Sequence, residues 1–372
     1  MLDKTIHTVT VTGYNSDGEG VARLDDGRVV FIRSAASGDV VEIKITKEQS
    51  NAVRAEIITI VIPSQHRIES DCTYYPKCGG CNYRHITYEE ELNAKLQCVN
   101  DALKRIGGLP VQIHAILHTG QIDGYRNKAV LHSNGSSFGF YQARSRNIIP
   151  VKKCLLLKDD LNDALLNLSV ESEKSHKDII LRSGRNGIEP PLEEELDGII
   201  YTLEGFFQVN AGAALLLFQK AREYAALSND DTLIDLYCGV GALTLFVGRD
   251  AGYALGIEYN PDAVKAARNN TQRNNLPNIE FIKADAADWI PTVSAPACII
   301  VDPPRKGLSP GAIQNIQALS PKRLVYISCN PATLARDLKA LTDYTIRDIC
   351  AIDMFPRTAN IECCCLLEKR DG

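Results

Sequence analysis

From Thr232 onward, short apolar runs alternate with helix-forming stretches. "TLIDLYCGVGALTLFVG" is a buried strand, a glycine turn and the start of a helix. "YALGIEYNPDAVKAARNNTQRNN" repeats strand and helix, and "IEFIKADAADWI", "ACIIVDPPRKGL" and "RLVYISC" supply three further strands. Runs this uniformly apolar suit strands covered on both faces. A doubly wound α/β domain is therefore expected over 201–372, with "YTIRDICAIDMF" and "IECCCLLEK" as an antiparallel end.

Two segments precede it. Residues 1–61 read as all-β: "TIHTVTVTGY", "GRVVFI", "DVVEIKITK" and "AVRAEIITIV" are β-branched runs, and "NSDGEG" and "DDG" supply turns. A small barrel of the OB type is expected. Residues 62–200 are mixed α and β.

The whole chain has 372 residues, 45% hydrophobic and 23% charged, which gives room for two or three domains. No run approaches the ~18 apolar residues of a membrane span. The N-terminus lacks the basic start and apolar core of a signal peptide. A cytoplasmic monomer with no membrane partner is expected. Twelve cysteines in such a chain favour metal or catalytic roles over a disulfide scaffold. The net charge of −5 is a weak veto on nucleic acid, because a local basic face suffices to bind phosphates.

"CTYYPKCGGC" places Cys72, Cys78 and Cys81 around a Gly79-Gly80 pair that lets the backbone fold tightly. Three thiolates need a fourth ligand for tetrahedral zinc or an iron–sulfur cluster. Cys154, ending a strand-like run, is a better candidate than Cys98 on a helix; spacing leaves zinc and iron–sulfur both open. From Gly124 to Lys158 no residue is acidic, while seven are basic, including Arg126, Arg144 and Arg146, with Phe138, Phe140 and Tyr141 between them. That pattern suits an RNA-tracking surface or a solvated hairpin.

In the α/β domain, Gly239 and Gly241 lie where backbone must approach a ligand. Glu258 ends the second strand, where a carboxylate can take both hydroxyls of a ribose. A nicotinamide site would show G-x-G-x-x-G, but here the third position is Thr244. Asp235 before the turn also suits a cationic ligand without phosphates. S-adenosylmethionine meets both conditions, with Asp285 at the end of the third strand placed to meet its adenine.

The ordered motifs "FFQVN", "DLYCGVG", "DPPRKG", "SCNP" and "MFPRTANIE", behind a barrel and a C-x5-C-x2-C loop, resemble those of the RNA uracil-5-methyltransferases over nearly the whole chain. The resemblance implies three units: a TRAM-like RNA-binding barrel (1–61), a central α+β domain with the cluster loop (62–200) and a Rossmann-like methyltransferase domain (201–372). It implies Gln208, Tyr237, Gly239, Ala242, Glu258, Asp285 and Asp302 as S-adenosylmethionine residues. It implies Cys329 as nucleophile, Glu362 as base, and Cys72, Cys78, Cys81 and Cys154 as [4Fe-4S] ligands. The expected partner is RNA, 23S ribosomal RNA ahead of tRNA. Two positions depart from the family pattern. Asn360 stands where His is common, and Ala242 where Asn is common, so only the backbone of Ala242 could serve the cofactor.

The implied chemistry explains a thiol at the joint of a strand and a helix. C5 of uracil is too weak a nucleophile to take a methyl group directly. A thiolate adding to C6 loads electron density onto C5, and a base must later remove the C5 proton. A helix start is expected to lower the pKa of Cys329. Phe206 or Phe207 is expected to stack on a flipped-out uridine. A cytosine-5 enzyme would typically carry a Pro-Cys pair instead of "SCNP". A non-catalytic RNA-binding protein would not need both Cys329 and Glu362.

Overall fold

The computed structural model describes residues 5–48, 52–168, 178–203, 205–289 and 296–370. Its largest sheet has eight strands: β1 (Ile116–Leu117), β2 (Thr232–Leu236), β3 (Tyr253–Glu258), β4 (Ile279–Lys283), β5 (Cys298–Val301), β6 (Arg323–Ser328), β7 (Tyr344–Ile352) and β8 (Glu362–Lys369). They lie in the order β4-β3-β2-β5-β6-β8-β7-β1. β2 pairs in parallel with both β3 and β5, so the strand order reverses there and opens a crevice at the strands' C-terminal ends. β8 is antiparallel to β6 and β7. Its first residue, Glu362, therefore lies at the same edge as the last residues of the parallel strands.

Helices cover both faces. Ala211–Ala225, Ala242–Gly248 and Pro261–Arg273 enclose one core with Leu233, Ile300 and Val325. Pro310–Leu319, Pro331–Ala340 and the end of Tyr88–Ala102 enclose the other with Ile234, Ile299 and Tyr326. Alternate residues of β2, β5 and β6 thus serve opposite cores, which is why these strands read as continuous apolar runs. Although helix 88–102 and β1 come from the middle of the sequence, they belong to this layer structure.

At the N-terminus, six strands between Ile6 and Ile62 form one sheet around a separate core of Val9, Val30, Ile43 and Val53. Between the two lies a four-stranded sheet whose members are Lys128–Ser133, Phe138–Tyr141, Ile148–Pro150 and Ile179–Arg182. Among the described residues no helix is long and apolar enough to cross a membrane.

A buried ionic knot joins helix 88–102 to the segment leading into β8. Lys95 Nζ donates to Glu91 Oε1 and to Asp353 Oδ1, both at 2.7 Å, and all three side chains are fully buried. Tyr88 donates to the other Asp353 oxygen at 2.8 Å, and the Arg357 amide donates to Glu91 Oε1 at 2.7 Å. Removing one member leaves uncompensated charge. Lys95→Ala is expected to cost about 3–5 kcal/mol of stability, measured by denaturant unfolding. A loss below about 1 kcal/mol would show that the knot is not what fixes this segment.

Candidate active site

The last pairing of β6 with β8 is Ser328 opposite Cys363. One residue further along each strand stand Cys329 and Glu362. An antiparallel register thus brings together two residues far apart in sequence. Both line a cavity of about 1050 Å³ at the C-terminal edge of the sheet. The same cavity is lined by Phe206, Gln208, Tyr237, Gly239, Glu258 and Asp302.

Each of these side chains has a local cause for its place. Tyr237 follows β2 in the left-handed region (φ 68°), a conformation costing ~1–2 kcal/mol for a residue with a Cβ. It is held there by its amide donating to Ile257 O at 3.0 Å. Gly241 (φ 78°) packs so closely on Phe281 that a Cβ would fall 2.5 Å from the ring. Glu258 is oriented by two backbone donors, Gly239 N at 3.1 Å and Asn260 N at 2.8 Å. Lone pairs remain on both of its oxygens for the hydroxyls of a ligand.

Asp302, directly after β5, and Glu362, at the start of β8, form a pair of crowded carboxyls. Burial pushes Asp302 up to about 7. Burial, and then the charge of Asp302, pushes Glu362 well above the usual carboxylate range, while Arg305 opposes the shift. Cys329 is likewise pushed up to about 11, first by burial and then by Glu362 and Asp302, again opposed by Arg305. The expected activation by the helix start does not prevail. The side chain of Asn330 caps the helix by accepting from Ala332 N, so the thiol does not take that amide. A helix terminus contributes at most about 2 kcal/mol at a partly buried site, and here burial beside two carboxyls outweighs it.

Arg305 is the cation that the sequence reading undervalued. Its Nη2 donates to Asn360 Oδ1 at 2.9 Å. Its carbonyl accepts from Asn330 Nδ2 at 3.0 Å and Thr333 Oγ1 at 3.3 Å, both beside Cys329 in sequence. The signal was its place one step beyond "DPP", in a loop held by the start of helix Pro331–Ala340.

Three expected residues are not among those that line this cavity. Asp235 is 1% exposed; its Oδ2 accepts from Thr244 Oγ1 at 2.5 Å, and burial pushes it up to about 8. It braces the glycine turn and does not line the cavity. Asp285 is exposed beyond Tyr237, whose hydroxyl it helps to push up, and it caps its own turn by accepting from Ala287 N. Ala242 opens its helix against the core on one face of the sheet.

The four candidate ligand cysteines, Cys72, Cys78, Cys81 and Cys154, wall one cavity of about 330 Å³. Among the described residues no three metal-ligating side chains converge on a point fit for a single ion. Arg84, Arg126 and Lys153 share the cavity wall, and the Nε atoms of both arginines are buried without a partner. Arg126, expected on an RNA surface with Arg144 and Arg146, faces these thiols instead. Arg144 and Arg146 are exposed and line a separate groove of about 860 Å³ with Arg33, Arg305 and Asn360. Arg144 Nη2 pairs with Glu19 at 2.5 Å. Of the remaining cysteines, Cys238, Cys298, Cys363, Cys364 and Cys365 are buried.

The tRNA (uracil-5-)-methyltransferase family model matches residues 150–295 and 293–370, and the TRAM domain model matches residues 5–58. An uncharacterized RNA methyltransferase of Caldanaerobacter subterraneus is 32% identical, with 98% of this chain and 98% of the relative covered. One from Clostridium tetani is 30% identical, over 96% and 95%. Among solved structures, the Pyrococcus abyssi tRNA (uracil-54, C5)-methyltransferase in complex with S-adenosyl-L-homocysteine superposes with a TM-score of 0.79 at 24% identity, covering 97% of this chain and 100% of that one. It has the same fold. The chain belongs to the tRNA (uracil-5-)-methyltransferase family, with a TRAM domain at its N-terminus.

Proposed function

We propose that the protein methylates C5 of a uridine in RNA through a covalent adduct between Cys329 and C6. The observation that carries this reading is the register that sets a thiol opposite a carboxyl in a cavity beside Glu258 and Tyr237. S-adenosylmethionine, when bound, supplies the methyl group. Glu258 would hold its ribose, while Gln208, Tyr237, Gly239 and Asp302 would line its site. The donor set fits a cation: Glu258, Asp262, Asp302 and Glu362 face Lys265 and Arg305 across the cavity. A cationic ligand there favours ionised Asp302 and a thiolate at Cys329. The thiolate adds to C6, C5 accepts the methyl group, and Glu362 removes the C5 proton as the C6–S bond breaks. Phe206, 69% exposed at the rim, would stack on the uracil.

The RNA favoured is 23S ribosomal RNA. The alternative is tRNA, which is supported by the uracil-54 enzyme that shares this layout over its full length. Mapping 5-methyluridine in cellular RNA with and without the gene tests both. Loss at a position in 23S RNA is expected, whereas loss confined to tRNA selects the alternative and no loss in either overturns the reading. In this reading residues 1–61 bind RNA, 62–200 carry the cluster loop and 201–372 catalyse. Reversing the charges of Arg144 and Arg146 is expected to weaken RNA binding and flatten its salt dependence, leaving S-adenosylmethionine affinity unchanged. Wild-type RNA affinity in that variant would make the hairpin merely a solvated face.

The cysteine cavity would hold a [4Fe-4S] cluster. Four thiols walling one cavity supply the ligand number of such a cluster, and the arginines beside them suit its negative charge. Purified protein is expected to be brown, with about four irons per chain. One zinc and no visible absorbance would refute this. The cluster would act structurally, tying the "CTYYPKCGGC" loop to the strand that ends near Cys154.

A further inference from the structure

One cationic pair lies outside the cavity of Cys329 and Glu362, although one member, Lys128, also lines the cysteine cavity. Ile180 and Arg182 stand directly opposite Val130 and Lys128 in the antiparallel pairing of Ile179–Arg182 with Lys128–Ser133. Side chains alternate along strands, so these four share one face. Like charges directly opposite one another are destabilising. Among the described residues neither Lys128 nor Arg182 forms an ion pair that would relieve the repulsion. Arg182 Nη1 donates to Gly205 O at 2.7 Å and also to Leu203 O, which ties this face to the backbone just before Phe206. Among the described residues its Nε and Nη2 have no hydrogen-bond partner.

The face borders a groove of about 600 Å³ lined by Lys128, Arg182, Ile180, Ile188 and Phe206. Ile180 is 62% exposed there. Gly205 and Phe206 line both this groove and the cavity that holds Cys329, so the two adjoin at Phe206. The groove of Arg144 and Arg146 shares Arg305 with the same cavity. Both grooves thus border the cavity where a target nucleotide would sit. Along this face of the paired strands, the cation pair and the apolar pair are two residues apart, about 6.8 Å. Anionic and apolar parts one step apart describe a nucleotide.

We propose that this groove holds the nucleotide adjoining the target uridine, its phosphate between Lys128 and Arg182 and its base against Ile180, Ile188 and the outer side of Phe206. The proposal rests on the RNA-uridine reading above. Apolar walls give the base no hydrogen-bond partners, so the subsite tolerates any base and its contribution is salt-dependent.

The test uses the full chain with single-stranded RNA oligonucleotides containing the target uridine, either flanked on both sides or truncated on one side. Lys128→Glu is expected to bind the doubly flanked RNA about tenfold more weakly, with the log–log salt slope reduced by about one. Ile180→Glu, at an exposed position, should weaken the same RNA, and Ile180→Trp should preserve or tighten binding. For RNA truncated on the side that occupies the groove, variants and wild type should bind alike. S-adenosylmethionine affinity and the thermal unfolding midpoint, measured in parallel, should match wild type. Both glutamate variants binding doubly flanked RNA with wild-type affinity and salt slope would overturn the subsite while wild-type uridine methylation upheld the activity. If wild type methylates no uridine in any RNA, the underlying reading falls and the subsite falls with it.

Discussion

Glu362→Gln protein, mixed with substrate RNA and methyl-labelled S-adenosylmethionine, will accumulate a protein–RNA species that survives denaturation and carries the label. Attack by Cys329 and methylation of C5 both precede removal of the C5 proton, so loss of the base stalls the reaction after them. Turnover should fall by about 10²- to 10⁴-fold, the range for removing a positioned general base. Cys329→Ser should show neither adduct nor methyl transfer, and Cys329→Ser/Glu362→Gln should match it. Normal turnover by Glu362→Gln would move the base to another carboxylate, with Asp302 in the same cavity the next to test. Adduct formation by Cys329→Ser would remove the thiol from the mechanism.

The second large effect concerns pH. Burial beside Glu362 and Asp302 holds the Cys329 thiol at about 11 in the ligand-free protein. Only the thiolate attacks, so below that value each unit of pH raises the reactive fraction about tenfold. Alkylation of Cys329, followed by peptide mapping, should therefore accelerate about a hundredfold between pH 6.5 and 8.5. Glu362, also raised, acts as base only when deprotonated, so its titration moves activity in the same direction. Arg305→Met removes the cation that opposes both shifts. The thiol should then rise further, the profile should move to more alkaline pH, and alkylation at pH 8 should slow. A flat profile between pH 6.5 and 8.5 would mean that the thiolate is already formed and that the two carboxyls do not govern it.

Much of the site was legible because its residues terminate strands. Glu258 and Asp302 end or follow apolar runs in the sequence, and parallel strands deliver such residues to one edge. Cys329 was equally visible. Its meeting with Glu362 required the register of β6 against β8, which no local pattern encodes. Electrostatic sign was the least legible property. The helix start promised an activated thiol, but burial reverses the effect, helped by carboxyls at the end of β5 and the start of β8. Asp235 and Arg126 show the same limit. Motif position located each on its element, but only packing turned Asp235 toward Thr244 and Arg126 toward the cysteines. Likewise, helix 88–102 read as part of the middle segment, yet its Val99 and Ala102 pack into the core beneath the large sheet, and the ionic knot around Lys95 fixes its other side to the segment before β8.

The covalent C5 mechanism is tested most directly by following tritium from RNA labelled at C5 of uridine. The account predicts release of one tritium to solvent for each methyl group transferred. It predicts no release by Cys329→Ser, and methyl transfer without matching release by Glu362→Gln. Methyl transfer by the wild-type protein with tritium retained on the RNA would place the methyl group elsewhere than C5 and would contradict the account.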